Sequence, residues 1–452
     1  VDGVARAPAG AHFAHLFPLA CFALTVATFY PGHLSFDSNY QFWQARTGHY
    51  ANLSPVAMAW VWSKLHALWP GSGGLFVLHL ALWWGGVWAI ACALFARPGA
   101  RIATTAFVAL ATPTLLILSH LWTDAALIAC LAAAGAFLVV ADVRRARWPL
   151  AFALPLMLYA GLVRHNALPA LAPLVVWAGV AFVRARDSEA RASRPVLALA
   201  VVAFLAVVVV SARAVDRALV PQPVSAFGVV QLFDLAAISI DVNEMLLPAF
   251  VRPPDYTLER ARERFRRYTA VPLFALPGDL VDGTSPPFSD AELAEVRQAW
   301  LAAIRAHPRA WLEHRAKVAV EVFGRYRKHR PVYLAYVVEA PPFRDNPPVV
   351  LNQTSAHRVA IAWYDRAIGW WIYAPATWIV IAVACLPFAW RRRETPAGRC
   401  AFALAASGLL YVAPLPLIAP SAELRYSGWL FAAASLALVA LAAARVPGDR
   451  RA

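Results

Sequence analysis

Charge is scarce in this chain. Of 452 residues, 15% are Asp, Glu, Lys or Arg and 60% are hydrophobic, where a soluble domain carries about 25% charged and about 45–50% apolar residues. That shortage excludes a surface that faces only water, and the mean hydropathy of +0.55 agrees. Acidic residues are the scarcest, 26 against 41 basic, for a formal net charge of +15. A basic chain invites nucleic-acid binding, but the arginines fall between apolar runs and not along one stripe, which argues against that partner. Cysteine is nearly absent: Cys21, Cys92, Cys130 and Cys385 lie within apolar runs, Cys400 sits at the edge of one, and no CxxC occurs. Neither a disulfide framework nor a structural zinc site has a pattern to rest on. Strand-period alternation, internal repeats and low-complexity tracts are also missing. The first apolar run, His12 to Tyr30, has no small-residue cleavage site and reads as a retained span.

What is present is a series of apolar runs. A span needs about 20 mostly apolar residues, and runs at 12–30, 74–96, 102–119, 123–141, 149–163, 167–184, 195–213, 367–390, 400–418 and 425–445 predict ten spans. With the N-terminus inside, the inward loops carry Arg6, Arg97, Arg101, Arg144, Arg145, Arg147, Arg184, Arg186, Arg191, Arg194, Arg391, Arg392, Arg393, Arg399, Arg445, Arg450 and Arg451. The short outward loops carry only Arg46, Lys64, Arg164 and Arg425. This is the positive-inside pattern, and it puts both termini in the cytoplasm. The fold expected is an all-α polytopic membrane protein. Residues 1–213 form a seven-span module with an outward loop at 31–73, residues 214–366 an outward, mostly helical domain, and residues 367–452 a three-span module.

Each outward segment has internal signals. Ser38-Asn-Tyr-Gln41 matches a capping box with Ser38 as N-cap. The stretch after it and the stretch from Pro55 to Trp69 read as amphipathic helices on the membrane surface, with Trp43, Trp60, Trp62 and Trp69 at the interface. In the larger segment, Ser289-Asp-Ala-Glu292 is a second capping box ahead of Leu293, Val296, Trp300 and Ile304 at helical spacing. Pro308 ends that helix and another runs from Arg309 to about Phe323, amid proline-rich loops.

Ionisable groups near bilayer depth are costly and mark function. Four places stand out, all outward. Asp37 follows the first span; it could cap a helix, but Ser38 fills that role with Gln41. Asp124, in Trp122-Thr-Asp124, opens the fourth span, where either it or Thr123 could cap. Arg164-His165-Asn166 forms a tight turn that could be a solvated hairpin, although a guanidinium there suits forked binding of phosphate. Glu423-Leu-Arg425-Tyr426 opens the last span; two residues apart, Glu423 and Arg425 cannot pair on one helix face and so should have different partners. Two carboxylates and two arginines at separate helix ends suit group transfer from a lipid phosphate. A carboxylate takes the proton of an attacking hydroxyl and the arginines hold the departing phosphate.

At these residues the chain resembles the GT-C superfamily of membrane glycosyltransferases, which use polyprenyl-phosphate-linked sugars. Ser-Phe-Asp37-Ser-Asn-Tyr-Gln matches the acidic position of the family's first outward loop, Trp122-Thr-Asp124 its fourth-span element, Leu162-Val-Arg164-His165-Asn166 a turn of some bacterial members, and Glu423-Leu-Arg425-Tyr426 an Arg-Tyr element before a late span. The likeness covers about the first 210 and last 90 residues. Where many members have two adjacent acids, Ala125 follows Asp124, which weakens the case for a divalent cation without closing it; no other cofactor is implied. The resemblance implies Asp37 as general base, with inversion at the anomeric carbon. Arg164, His165, Arg425 and Tyr426 would bind the donor phosphate, Asp124 would orient the acceptor or Arg164, and Gln41, Asn166 and Glu423 would support the acceptor. Helices at 38–69 would flank a lipid groove. The implied partners are a polyprenyl-phosphate sugar, a glycan or glycolipid acceptor and membrane lipid, and the implied place is the bacterial cytoplasmic (inner) membrane with the site outside. One rival is an O-antigen ligase or polymerase using Arg260-Ala-Arg262-Glu-Arg264-Phe-Arg266-Arg267 and Tyr326-Arg-Lys-His-Arg330, runs that also read as solvated helix faces. Another is a transporter, which should carry charges or broken helices at mid-membrane.

Overall fold

The computed structural model describes residues 14–110, 112–187, 192–325, 343–350 and 353–444. Arg6, Arg191, Arg445, Arg450, Arg451 and the run Tyr326–Arg330 lie outside them. Among the described residues the chain is helical, with isolated bridges and no strand. In chain order the helices are α1 Leu16–Phe29, α2 Phe36–Thr47, α3 Ala57–Leu68, α4 Gly73–Leu94, α5 Pro98–Leu110, α6 Thr114–Leu118, α7 Thr123–Arg144, α8 Leu150–Val163, α9 Leu168–Arg184, α10 Arg194–Leu219, α11 Ala226–Val242, α12 Leu258–Arg264, α13 Asp290–Ala306, α14 Pro308–Phe323, α15 Ser355–Ala367, α16 Pro375–Arg391, α17 Pro396–Val412, α18 Leu415–Ile418 and α19 Gly428–Ala443.

Among the described residues, six stretches are long and apolar enough to cross a membrane: Gly73–Leu94, Thr123–Arg144, His165–Arg184, Arg194–Leu219, Pro396–Ile418 and Leu424–Ala443. Helix α10 makes the physical case for lipid. Its most apolar stretch is only 6% buried, and Leu199, Val202 and Val210 stand exposed. An apolar helix bare on most of its surface is stable only where the solvent is itself apolar. Helices α1, α8 and α16 are apolar but shorter, with 14, 14 and 17 residues. The expected span at 102–119 is not one helix. Proline fixes its own φ and has no N–H to donate, so the run divides at Pro113, into α5, which ends at Leu110, and the buried α6, for which Pro113 is the N-cap.

Helix α7 is the axis of the bundle. It packs against α4 and α8, while α17 and α19 pair beside it. Small residues let it approach closely: a Cβ added at Gly86 of α4 would lie 2.8 Å from the backbone nitrogen of Ala133. Helix α10 continues past the expected boundary at 213, to Leu219.

The segment after α10 carries α11 to α15. The capping box at Ser289 forms as its sequence requires, with Glu292 Oε2 accepting from Ser289 N at 2.7 Å, and Pro308 opens α14. The buried Asp234 of α11 is the hub of this region. Its Oδ2 accepts from Trp300 Nε1 (2.8 Å) and Trp311 Nε1 (3.0 Å), and its Oδ1 meets Arg315 Nη2 (2.6 Å) and His314 Nε2 (3.1 Å). Burial alone would raise the Asp234 pKa, but His314 and Arg315 outweigh it and hold the carboxyl below its ordinary range. Of the arginine-rich run, Arg260 and Arg264 turn inward onto the buried Asp279, at 3.1 and 2.9 Å. All five cysteines are free thiols.

Candidate functional site

Helix α2 begins one turn earlier than its capping motif suggested. Ser35 is the N-cap, with extended backbone, and Ser38 sits inside the first turn. The Ser38–Gln41 box therefore does not form, because the Ser35 hydroxyl accepts from Trp122 Nε1 (2.8 Å) and so ties the helix start to the segment before α7. The shift places Asp37 in the first turn, where the positive end of the helix favours its charge. Its side chain stays 40% exposed, and its Oδ2 lies 2.6 Å from Arg425 Nη2. Gln41 follows one turn later, buried, with its Oε1 lacking a hydrogen-bond partner. Trp62 of α3 is not at an interface; it is buried against Phe42 of α2, ring centroids 5.1 Å apart, while Trp60 and Trp69 remain exposed.

Arg425 lies in the turn Leu424–Ser427 that opens α19. Contrary to the expectation from helix geometry, Glu423 and Arg425 do pair: Arg425 Nε donates to Glu423 Oε2. The reason is local. Glu423 has an extended backbone (φ −101°, ψ 135°), so the two side chains are not on a helix and its face rule does not apply. Tyr426 Oη donates to the other oxygen of Glu423 at 3.1 Å.

Arg164 caps α8 in an extended conformation. Its Nη2 is 2.9 Å from Asp124 Oδ1, and the Asp124 side chain is only 1% exposed. Tyr411 of α17 donates to the same oxygen at 3.3 Å. The ring of Tyr426 joins the two halves of the cluster, with the Arg164 guanidinium 5.1 Å and the Arg425 guanidinium 5.6 Å from its centroid; Arg425 also lies 4.9 Å from the ring of Trp122. Such contacts hold a cation without cancelling its charge. Arg164 Nε and Asp124 Oδ2 are buried with no hydrogen-bond partner.

The structure thus brings Asp37, Asp124, Arg164, Glu423, Arg425 and Tyr426 into one cluster, from the starts of α2, α7 and α19 and the end of α8. His165 is exposed and Asn166 half-buried, and among the described residues neither hydrogen-bonds the cluster. Among those residues no three His, Cys, Asp or Glu side chains are grouped to hold a metal ion. The helices between α10 and α16 fix the Arg425 side of the cluster. Arg315 Nη1 donates to Ala419 O (3.0 Å), Ala270 N to Pro420 O (2.8 Å) and Ala422 N to Tyr268 O (2.8 Å), and the hydroxyls of Thr269 and Ser421 meet at 2.9 Å. A strap crosses α2 as well. Arg46 Nη2 and Trp43 Nε1 bind Asp345 at 2.8 and 3.0 Å, and Asn346 Nδ2 donates to Asn39 O at 2.8 Å.

Beside the cluster lies a group that sequence reading missed. His33, His120 and His357 are all buried, with His33 Nε2 3.0 Å from His357 Nε2 and His33 Nδ1 3.1 Å from Ser119 Oγ. The His33 and His120 rings are 4.8 Å apart, and their backbones bridge the loop between α1 and α2 to the segment before α7. Sequence separation hid them, since His357 is 324 positions from His33. Burial first, and then the charges of His120 and His357, hold the His33 pKa well below its ordinary 6.5; burial and Arg358 lower His357. Unfolded histidine takes a proton near 6.5 that folded His33 refuses. The stability tied to this group is therefore full above that pH and falls as pH drops below it. Thermal unfolding at pH 8 and pH 5 should show wild type losing stability at the lower pH and a His33→Gln variant losing less; equal losses would remove His33 from the account.

No known protein family, curated protein or solved structure matches this chain.

Proposed function

We propose that this chain is a ten-span membrane glycosyltransferase of the GT-C type, moving a sugar from a polyprenyl-phosphate donor to an envelope glycan or lipid with inversion. In this reading it lies in a bacterial cytoplasmic membrane, termini inside and the cluster outside. The observation that carries the reading is the pairing of a half-exposed carboxylate, Asp37, with Arg425, next to a second arginine anchored by a buried acid.

The acceptor oxygen forms a bond to the anomeric carbon as its proton passes to Asp37. The bond from that carbon to the phosphate oxygen breaks, and its electron pair leaves with the lipid phosphate. The phosphate gains negative charge in this step, so Arg425 and Arg164 hold it more strongly at the transition state than before it. A guanidinium has five donors in a fork, which lets Arg425 exchange Asp37 for the donor phosphate and so release the carboxylate as the donor arrives. Asp124 is too buried to meet an acceptor; its part is to position Arg164, with Tyr411. Glu423 orients Arg425. The rival ligase reading would draw on the arginines of 260–267, two of which are engaged by Asp279, and on the run Tyr326–Arg330, which lies outside the described residues.

The test is release of polyprenyl phosphate by the purified protein from polyprenyl-phosphate hexoses, with crude envelope glycolipid as acceptor. Turnover supports the proposal. Folded protein that ignores such donors but consumes polyprenyl-diphosphate glycans would replace it with the ligase or polymerase reading.

A further inference from the structure

The opposite end of the bundle carries a second built feature, about 27 Å along α7 from Asp124 at about 1.5 Å per residue. There the carboxylate of Asp142 is completely buried and gripped by a fork from Arg399, Nε to Oδ2 at 2.8 Å and Nη2 to Oδ1 at 2.7 Å. Trp177 Nε1 adds a third bond at 3.0 Å. The remaining nitrogen of Arg399 donates to the carbonyls of Arg393 and Glu394, both at 2.9 Å. A buried ion pair therefore fixes the turn between α16 and α17.

That fixed turn displays a cation. The Arg393 guanidinium rests 4.6 Å from the ring centroid of Trp390, with Nη1 donating to Trp390 O at 3.0 Å. Among the described residues its one carboxylate neighbour, Glu394, is 3.9 Å away, too far for a full hydrogen bond. Arg184, the last residue of α9, lines the same space. Among the described residues it has no carboxylate partner. Between the two arginines opens a cavity of about 500 Å³, walled by Pro173, Val176 and Val180 of α9 and by Phe402 and Ala406 of α17. It is an apolar trough with guanidinium groups at one end.

We infer that this trough holds one anionic phospholipid, with its phosphodiester on Arg184 and Arg393 and one acyl chain along Val176, Val180, Phe402 and Ala406. Charge complementarity selects this occupant. Arg399 is neutralised by Asp142, Glu394 only partly offsets Arg393, and among the described residues no carboxylate pairs with Arg184, so the end of the trough is positive. A neutral apolar ligand would leave those donors unmatched, and a soluble phosphate would leave the trough unfilled. Basic pockets between membrane helices favour anionic head groups, and each arginine near the surface contributes about 1 kcal/mol. The site is separate from the outward cluster, and the inference stands whether or not the chain transfers sugars.

The experiment is native mass spectrometry of the full-length protein in detergent, titrated with phosphatidylglycerol or with phosphatidylcholine of the same chain length. Wild type is expected to retain phosphatidylglycerol roughly tenfold more tightly or better. An Arg184→Gln/Arg393→Gln variant should lose most of that preference while still binding both lipids weakly. Ala406→Trp, which fills the trough, should weaken the phosphatidylglycerol adduct with both arginines intact. Equal retention of the two lipids by wild type would overturn the inference, as would a preference that survives loss of both arginines. Should the double variant fold poorly, Arg184→Gln alone carries the test, because Arg184 ends its helix and, among the described residues, its side chain makes no hydrogen bond or ion pair.

Discussion

An Asp37→Asn variant should lose turnover by about 10²–10⁴-fold, the usual contribution of a positioned general base, while its affinity for donor is kept or improved. The second half of this expectation comes from geometry. The Asp37 carboxylate sits 2.6 Å from Arg425 Nη2 and, on the proposed function, would compete with the donor phosphate for it. The amide of asparagine keeps the size of the side chain, removes the negative charge and leaves Arg425 with Glu423 alone. A phosphate then meets a less neutralised guanidinium. Single-turnover rates report the chemical step, and a titration with polyprenyl-phosphate hexose reports binding. A variant that loses affinity and rate together would make Asp37 a part of the donor site and not a base. Undiminished turnover would remove it from the mechanism. The change should cost little stability, because a partly exposed pair is worth about 0–1 kcal/mol.

Asp234→Ala should give the largest loss of stability among single substitutions in α11–α15, about 3–5 kcal/mol, the cost of leaving the other member of a buried ion pair uncompensated. The buried guanidinium of Arg315 would keep its charge and lose its carboxylate, and the indole nitrogens of Trp300 and Trp311 would lose their acceptor. Asp234→Asn should cost less, since an amide oxygen can still accept from the indoles. Thermal unfolding of the detergent-purified protein, followed by tryptophan fluorescence, measures the effect. Activity should fall as well, because Arg315 also holds Ala419 O, next to the segment whose bonds to Tyr268 and Ala270 set the position of Glu423 and Arg425. An Asp234→Ala protein that melts with wild type would show that the hub is dispensable and that the helices stand by packing alone.

The features legible in the sequence are those decided by neighbours in the chain. Apolar runs gave most of the long helices, because burying a backbone in lipid leaves a helix few alternatives. The Ser289 capping box and the proline at the start of α14 are local chemistry, and both form as read. Locality also explains the misreadings. Ser38 matched a capping box, but the tertiary bond from Trp122 to Ser35 moved the cap three residues back. The run at 102–119 is mostly apolar, and the helix still broke before Pro113; the buried α6 that follows leads directly to Ser119 and His120, which meet His33.

By itself, then, the sequence determined that the chain is a helical membrane protein and that its acids and arginines gather at helix ends, because hydrophobicity and charge act on each residue where it stands. Only the tertiary structure decided which of those groups meet. The pairs Asp37–Arg425 and Asp124–Arg164, the His33–His357 contact, and the grips on Asp234 and Asp142 join residues far apart in the chain. Nothing in local propensity encodes such a meeting. It follows from how the helices pack, which a single residue feels only through its neighbours in space.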